Sequence, residues 1–231
     1  MAAMGSTGGD GGGADSRIGA ICGILFGILV IATFAVTANF PASPAQADAT
    51  LAGFNGFRTA FLAADVFIGL AAVVAMPYFL SLRKAFKGTD RLLTATATAF
   101  SIVGIVTTAV VLIGEAIALD VLSGPYATGG ISRTVAIIVA QAVIGLGTAE
   151  VFGFLLLAAG VGVYGYLTMK GTPYPRWLGV VGILSLIAFL LGALPVADAF
   201  VALLAGAVLL LAWIFASSVL LWRSAGPMAA R

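Results

Sequence analysis

The chain has 231 residues, of which 61% are hydrophobic and 9% charged, with a mean hydropathy of +1.16 and a formal net charge of +2. A soluble domain carries about a quarter charged residues, so this composition excludes a soluble domain and indicates a membrane protein. The absence of histidine removes imidazole-ligated haem, the usual zinc sites and the commonest general base.

The N-terminal residues 1–16 are rich in glycine and polar residues. Such a segment buries too little apolar surface to fold, so we expect a disordered tail there. A cleaved signal peptide is the alternative, because an apolar run follows Arg17 and the AQA at 45–47 resembles a cleavage site. That run, 18–38, is longer than the roughly 7–15 apolar residues of a signal peptide, which favours a membrane span.

Six apolar runs separated by helix breakers predict an all-α fold, a bundle of six membrane-spanning helices. The predicted spans are 18–38, 59–82, 92–119, part of 134–169, 177–194 and 200–222. Pro173, Pro175 and Pro195 fall at predicted boundaries, where a missing N–H does least harm. We expect one transmembrane domain over 17–223 and a short cytoplasmic tail over 224–231.

The fourth segment is too long for a single span. A helix over 134–169 would measure about 54 Å at about 1.5 Å per residue, against roughly 30 Å of hydrocarbon. Either this helix tilts and protrudes, or it breaks at Gly145 and Gly147. A break would leave 134–144 as an interfacial or partly inserted helix.

The basic residues orient the predicted bundle. With the N-terminus in the cytoplasm, only Arg58 and Arg133 lie outside. The cytoplasmic side holds the other nine of the eleven: Arg17, Arg83, Lys84, Lys87, Arg91, Lys170, Arg176, Arg223 and Arg231. This bias satisfies the positive-inside rule and places both termini in the cytoplasm.

Glycines in the first span suggest how helices meet. Gly19, Gly23 and Gly27 recur every four residues, a pattern that lets two helix backbones approach closely. Packing inside the bundle is one interpretation of this ridge, and homodimerisation through it is the other.

Three acidic residues fall within predicted spans, each in the outward-facing third: Asp65, Glu115 and Glu150. A charged group inside a membrane costs a few kcal/mol unless it is paired, protonated or hydrated. We therefore expect these carboxylates to point into the bundle rather than toward lipid.

A polar stripe on the third span leads to Glu115. Its members recur every seven residues, with two more on the same side: Thr94, Ser101, Thr108 and Glu115, then Thr98 and Gly104. The fourth segment offers a partner face of Gln141, Gly147, Glu150 and Gly153, and Arg58 lies seven residues from Asp65 on the second span. These spacings put the groups of each helix on one side.

The predicted site is a buried polar cluster of Arg58, Asp65, Glu115, Arg133, Gln141 and Glu150. In a structural interpretation, the two arginines pair with the three carboxylates and set the helix register. In a functional one, the carboxylates line a wet cavity that opens outward and binds a cation, a proton or the polar head of a small molecule. A catalytic dyad is the third alternative.

No recognised motif indicates a catalytic residue, a metal site, a cofactor or a nucleic-acid partner. Cys22 is the single cysteine, so neither an internal disulfide nor a dithiol pair can form. The GVGVYG at 160–165 lies inside an apolar span, without the pore helix of a potassium channel. Since no lysine falls within a predicted span, a retinal Schiff base is also excluded.

Three segments carry a family resemblance: RIGAICGILFGILVIATFAV, FRTAFLAADVFIGLAAVVAMPYFLSLRK and YGYLTMKGTPYPRWLGVVGILSLIAFLLG, the last with a PRWLG turn. They resemble the bacterial and archaeal multi-span family catalogued as domain of unknown function 4386, over nearly the whole chain. The resemblance implies a six-helix protein of the prokaryotic inner membrane and transfers no activity. By analogy Asp65 is the second-span acid, where family members often have glutamate. The third span of the family often has an arginine near its acid, whereas Glu115 has apolar and threonine neighbours.

These observations favour a non-enzymatic accessory or ligand-binding protein whose partner is the lipid bilayer. A small proton- or cation-coupled transporter is the main alternative, although the six spans contain no detectable inverted repeat and no matched pair of broken helices. A structural subunit of a homo-oligomer or larger membrane complex is the third.

Overall fold

The computed structural model describes residues 11–37, 44–147, 149–172, 174–194 and 199–225, and these form seven α-helices and one 3₁₀ turn without a β-strand. The helices are α1 Gly11–Thr37, α2 Ala47–Phe86, α3 Arg91–Thr128, α4 Arg133–Gly147, α5 Ala149–Gly171, α6 Arg176–Gly192 and α7 Ala199–Ser224, and the turn Pro44–Gln46 precedes α2. The predicted all-α fold is confirmed.

The chain is a multi-pass membrane protein. Five stretches are long and apolar enough to cross a membrane: Gly13–Thr37, Ala47–Phe86, Arg91–Thr128, Arg133–Gly171 and Ala199–Ser224. The remaining predicted span corresponds to α6, which is apolar but has only 17 residues. At about 1.5 Å per residue, α6 measures about 25 Å.

Six helices form a closed ring. Going round it, α1 packs on α2, α2 on α3, α3 on α5, α5 on α6, α6 on α7, and α7 returns to α1. The largest side chains without solvent exposure in its core are Trp213, Tyr78 and Tyr164. Tyr164 and Trp213 stack with ring centroids 6.0 Å apart, and Tyr78 shares a hydrogen bond of 2.5 Å with Ser217.

The α3–α5 contact explains the predicted polar stripe. Its four hydroxyl residues, Thr94, Thr98, Ser101 and Thr108, are buried. Thr98 shares a hydrogen bond of 2.7 Å with the Tyr164 hydroxyl and also donates to the Thr94 carbonyl. Two glycines of α5 face the stripe. A Cβ at Gly153 would meet the Thr108 hydroxyl, and a Cβ at Gly160 would meet the Ser101 hydroxyl. The stripe therefore meets glycine backbone over most of its length.

The Gly19–Gly23–Gly27 ridge packs within the bundle. A Cβ at Gly19 would meet the Ser81 side chain of α2, and one at Gly27 would lie 2.6 Å from Phe215 of α7. At Gly23 a Cβ would meet both neighbouring helices. The ridge is thus occupied by α2 and α7 of the same chain.

Two predicted helix boundaries are wrong, and the reason is a second hydrophobic core. The second span was expected to begin at residue 59 and the third to end at 119, but α2 begins at Ala47 and α3 continues to Thr128. We call residues 47–58, 119–128 and 133–147 the cap. Its apolar side chains pack together: Ala47, Leu51, Phe54, Leu119, Ala136, Ala140 and Ile144. This burial keeps segments helical that the sequence analysis placed in loops.

The turn between α3 and α4, inside the cap, requires a conformation for which glycine is suited. Gly129 follows α3 with a φ of 73°, a left-handed conformation that side chains with a Cβ resist. Gly145 and Gly147, the positions of the predicted break, belong to α4. Residue 148, between α4 and α5, lies outside the described residues.

The predicted tail over 1–16 is wrong for its last six residues, since α1 begins at Gly11. Lys84 Nζ lies 2.6 Å from Asp15 Oδ2, and the Ser81 hydroxyl donates to the Asp15 carbonyl over 3.1 Å. These contacts with α2 extend the helix toward the N-terminus. Residues 1–10, and most of the predicted C-terminal tail, lie outside the described residues.

Candidate functional site

Three carboxylates lie together at the junction of the ring and the cap. Asp65 is on α2, Glu115 on α3 and Glu150 in the first turn of α5, and all three side chains are partly buried. The Glu115 carboxylate interacts electrostatically with those of Glu150 and Asp65. We call these three residues the carboxylate layer. The packing of α3 on α5 positions two of these carboxylates. Glu115 lies two turns beyond Thr108 on α3, and Glu150 lies three residues before Gly153 on α5, where the two helices are in close contact.

The two arginines of the predicted cluster bind other carboxylates. Arg58 of α2 binds Asp120 of α3, with Nε 2.8 Å from Oδ1 and Nη2 3.1 Å from Oδ2. Arg133 of α4 binds Asp48 of α2, with Nη2 2.6 Å from Oδ2 and Nε 3.2 Å from Oδ1. The interpretation in which these arginines pair with the carboxylate layer is therefore wrong.

Both ion pairs belong to the cap and join its helices. Asp48 also accepts a hydrogen bond from the Tyr126 hydroxyl of α3, so this one carboxylate connects all three cap helices. Asp48 and Asp120 were not among the predicted site residues because both lie outside the predicted spans 59–82 and 92–119. The spacing of Ala47, Leu51 and Phe54, which matches one helical face, was the signal that would have extended the second helix.

Asp48→Asn should loosen the cap. The amide no longer offers Arg133 a charged acceptor, so we expect faster backbone amide exchange across 133–147, with exchange in α6 and α7 unchanged. Hydrogen exchange of the detergent-solubilised protein followed by mass spectrometry measures this effect. Unchanged exchange in α4 would mean that apolar packing alone holds the cap together.

The carboxylate layer has no cationic partner among the residues that the structure describes. No ion pair or hydrogen bond there involves the side chains of Asp65, Glu115 or Glu150. At this end of the described bundle, five acidic residues, Asp48, Asp65, Glu115, Asp120 and Glu150, face two basic ones, Arg58 and Arg133. The acidic residues thus outnumber the basic ones by three, which equals the number of carboxylates in the layer.

Gln141 does not join the layer. Its position on α4 is exposed, away from the buried face of that helix. The structure thus brings together Asp65, Glu115 and Glu150 of the six predicted residues and separates Arg58, Arg133 and Gln141 from them. Within the described ranges, no three acidic or cysteine side chains are placed to hold one metal ion.

Comparison with known proteins gives one match. The family described as a domain of unknown function (DUF4386) matches residues 18–222. This range includes most of α1 and α7, all the helices between them, the carboxylate layer and both ion pairs of the cap. No curated protein and no solved structure matches the chain. The match spans most of the sequence, and the chain therefore belongs to the DUF4386 family.

Proposed function

We propose that the protein is a non-enzymatic membrane protein that binds protons or a small organic cation at the carboxylate layer. The observation that carries this proposal is the pairing of Arg58 with Asp120 and of Arg133 with Asp48. Because both arginines are engaged in the cap, Glu115 is left beside two groups of its own charge.

The energetics favour occupation of the layer. A carboxylate in partly apolar surroundings is costly, and neighbouring like charges add repulsion. A proton or a bound cation relieves both costs. The three carboxylates interact without converging on one metal-sized position, which favours protons, or a cation large enough to span them such as an organic ammonium group.

The basic residues support an orientation for the site. The described residues of one end of the bundle include Arg17, Arg83, Lys84, Arg91, Lys170 and Arg223. By the positive-inside rule this basic end faces the cytoplasm, so the cap and the carboxylate layer face outward. We place the protein in a prokaryotic cytoplasmic membrane with both termini inside.

The packing of the ring favours binding over transport. Between the layer and the basic end, the core is filled by Tyr78, Tyr164 and Trp213, none of which is solvent-exposed. A carrier needs a route past these side chains. A role as the structural subunit of a complex draws no support from the glycine ridge, since α2 and α7 of the same chain cover it.

Melting temperatures of two charge-neutralising variants on α3 test the proposal. Glu115→Gln removes a charge that lacks a cationic partner, so we expect an unchanged or higher melting temperature. Asp120→Asn leaves Arg58 without its carboxylate, so we expect a lower one. Glu150→Gln should behave like Glu115→Gln. All are measured on the detergent-solubilised protein beside wild type.

The same assay tests binding directly. For wild type and for Asp120→Asn, the melting temperature should be higher in tetramethylammonium chloride than in sodium chloride at equal ionic strength. For Glu115→Gln this difference should be smaller. If Glu115→Gln and Glu150→Gln melt below wild type by as much as Asp120→Asn, the layer is part of the scaffold and the proposal fails. An unchanged or raised melting temperature without a tetramethylammonium response would limit the ligand to protons.

A further inference from the structure

The apolar surface of α2 marks where the hydrocarbon ends on one side of the bundle. Its exposed large apolar side chains run from Leu62 to Leu80, about 27 Å at about 1.5 Å per residue, which matches the roughly 30 Å hydrocarbon of a bilayer. Beyond Leu62 the exposed side chains of α2 are polar or small: Thr59, Arg58, Asn55 and Ala52. On this side the cap presents a surface suited to water.

The α3 side is different. Its exposed apolar stripe continues through Phe100, Val103, Val110, Ile117 and Val121. Val121 directly follows Asp120, the partner of Arg58, so it lies at the level of that ion pair, about one helical turn beyond Leu62. The stripe that faces lipid in the ring therefore extends into the cap.

Helix α4 packs on α3 and has an exposed apolar surface of its own. One face packs into the cap core through Ala136, Ala140 and Ile144. The exposed face carries four more large apolar side chains: Val135, Ile138, Val139 and Leu146. Between Val135 and Leu146, Gln141 is the one exposed polar residue. A helix that is apolar on most of its surface is unsuited to water, since such a helix normally lies in a protein core or a membrane.

We propose that the cap rests against the lipid bilayer through the exposed face of α4, with its α2 face in water. Because α4 packs on α3, whose exposed apolar stripe runs from the ring into the cap, we infer that lipid is the occupant. A protein-binding surface has a polar rim. Here the one exposed residue of α3 between Val110 and Ile117 is Gly114, and the one exposed polar residue of α4 between Val135 and Leu146 is Gln141. The cap is then an amphipathic unit at the membrane interface. This inference does not depend on cation binding.

Fluorescence quenching in vesicles tests the proposal. Cys22, the single cysteine, is first replaced by alanine. One new cysteine is then introduced into the full chain and labelled with bimane. The test variant is Ile138→Cys, with Val110→Cys as the lipid control and Asn55→Cys as the water control. Each protein is reconstituted in phosphatidylcholine vesicles, with brominated acyl chains or with iodide on both sides of the membrane.

We expect the label at Ile138 to resemble that at Val110, with quenching by brominated lipid several-fold stronger than at Asn55 and with protection from iodide. Quenching by iodide as strong as at Asn55 would overturn the proposal, because α4 would then face water. Protection from both quenchers, with a light-scattering mass of twice the monomer, would overturn it in favour of a second copy. Leu146→Cys provides a second labelling position if Ile138→Cys melts below the Cys22→Ala parent.

Discussion

Replacing Gly104 with alanine is expected to destabilise the bundle strongly. A Cβ at this position would meet the Leu157 backbone nitrogen and lie 2.6 Å from the Gly153 carbonyl oxygen. Both atoms belong to the backbone of α5, so no side-chain rotation can relieve the contact and the two helices must separate. We expect a loss of about 3 kcal/mol in the free energy of unfolding, at the upper end of typical overpacking costs, measured as a lower melting temperature in detergent.

Gly114→Ala is the matched control. Gly114 lies on the same helix, is exposed, and has no atom within 4 Å of a built Cβ. Alanine there should leave stability unchanged or improve it by up to about 1 kcal/mol, because glycine is the poorer helix former. If Gly104→Ala melted with wild type while Gly114→Ala behaved as expected, α3 and α5 would not pack at the observed distance.

The second large effect is expected at Trp213. This side chain has no solvent exposure and stacks on Tyr164 in the core of the ring. Trp213→Ala would leave a large cavity between α5, α6 and α7, and we expect a cost of about 3–5 kcal/mol. The melting temperature should fall accordingly.

Two further variants separate packing from hydrogen bonding. Among the described residues, Trp213 Nε1 has no hydrogen-bond partner, so Trp213→Phe loses volume without losing such a bond and should cost much less than alanine. Trp177→Ala is the surface control, because that side chain is 54% exposed. Equal losses for Trp213→Phe and Trp213→Ala would contradict this expectation, because the phenyl ring would then recover none of the packing.

The Gly104 contact concerns the packing that places the carboxylate layer. The close approach of α3 and α5 at Gly104 and Gly153 fixes how Glu115 of α3 lies relative to Glu150 in the first turn of α5. A variant that separates these helices should therefore also weaken the tetramethylammonium response. We expect Gly114→Ala to retain that response.

The predictions made from the sequence succeed where one helix decides the outcome. An apolar run of about 20 residues spans a bilayer whatever its neighbours are. The buried hydroxyls of α3 follow from their periodicity, since residues seven apart share a face. The partial burial of Asp65, Glu115 and Glu150 agrees with the cost of exposing a carboxylate to lipid.

The predictions fail where two helices decide together. One interpretation paired Arg58 with acids inside the spans, but Arg58 binds Asp120 because α2 and α3 both extend beyond those spans. Segments 47–58 and 119–128 contain glycine or proline and charged residues, which resemble a loop in isolation. They are helical because they bury Leu51, Phe54 and Leu119 against α4.

The sequence by itself determined that this chain is a helical membrane protein, where most of its spans lie, and that three of these spans carry an acidic residue near the same end. Hydrophobic length and the position of a charge along a span are properties of local sequence. Only the tertiary structure decided that the arginines pair within a cap and leave those carboxylates without a cation among the described residues. The physical reason is that an ion pair depends on which helices continue side by side, and that continuation depends on apolar surface supplied by another segment.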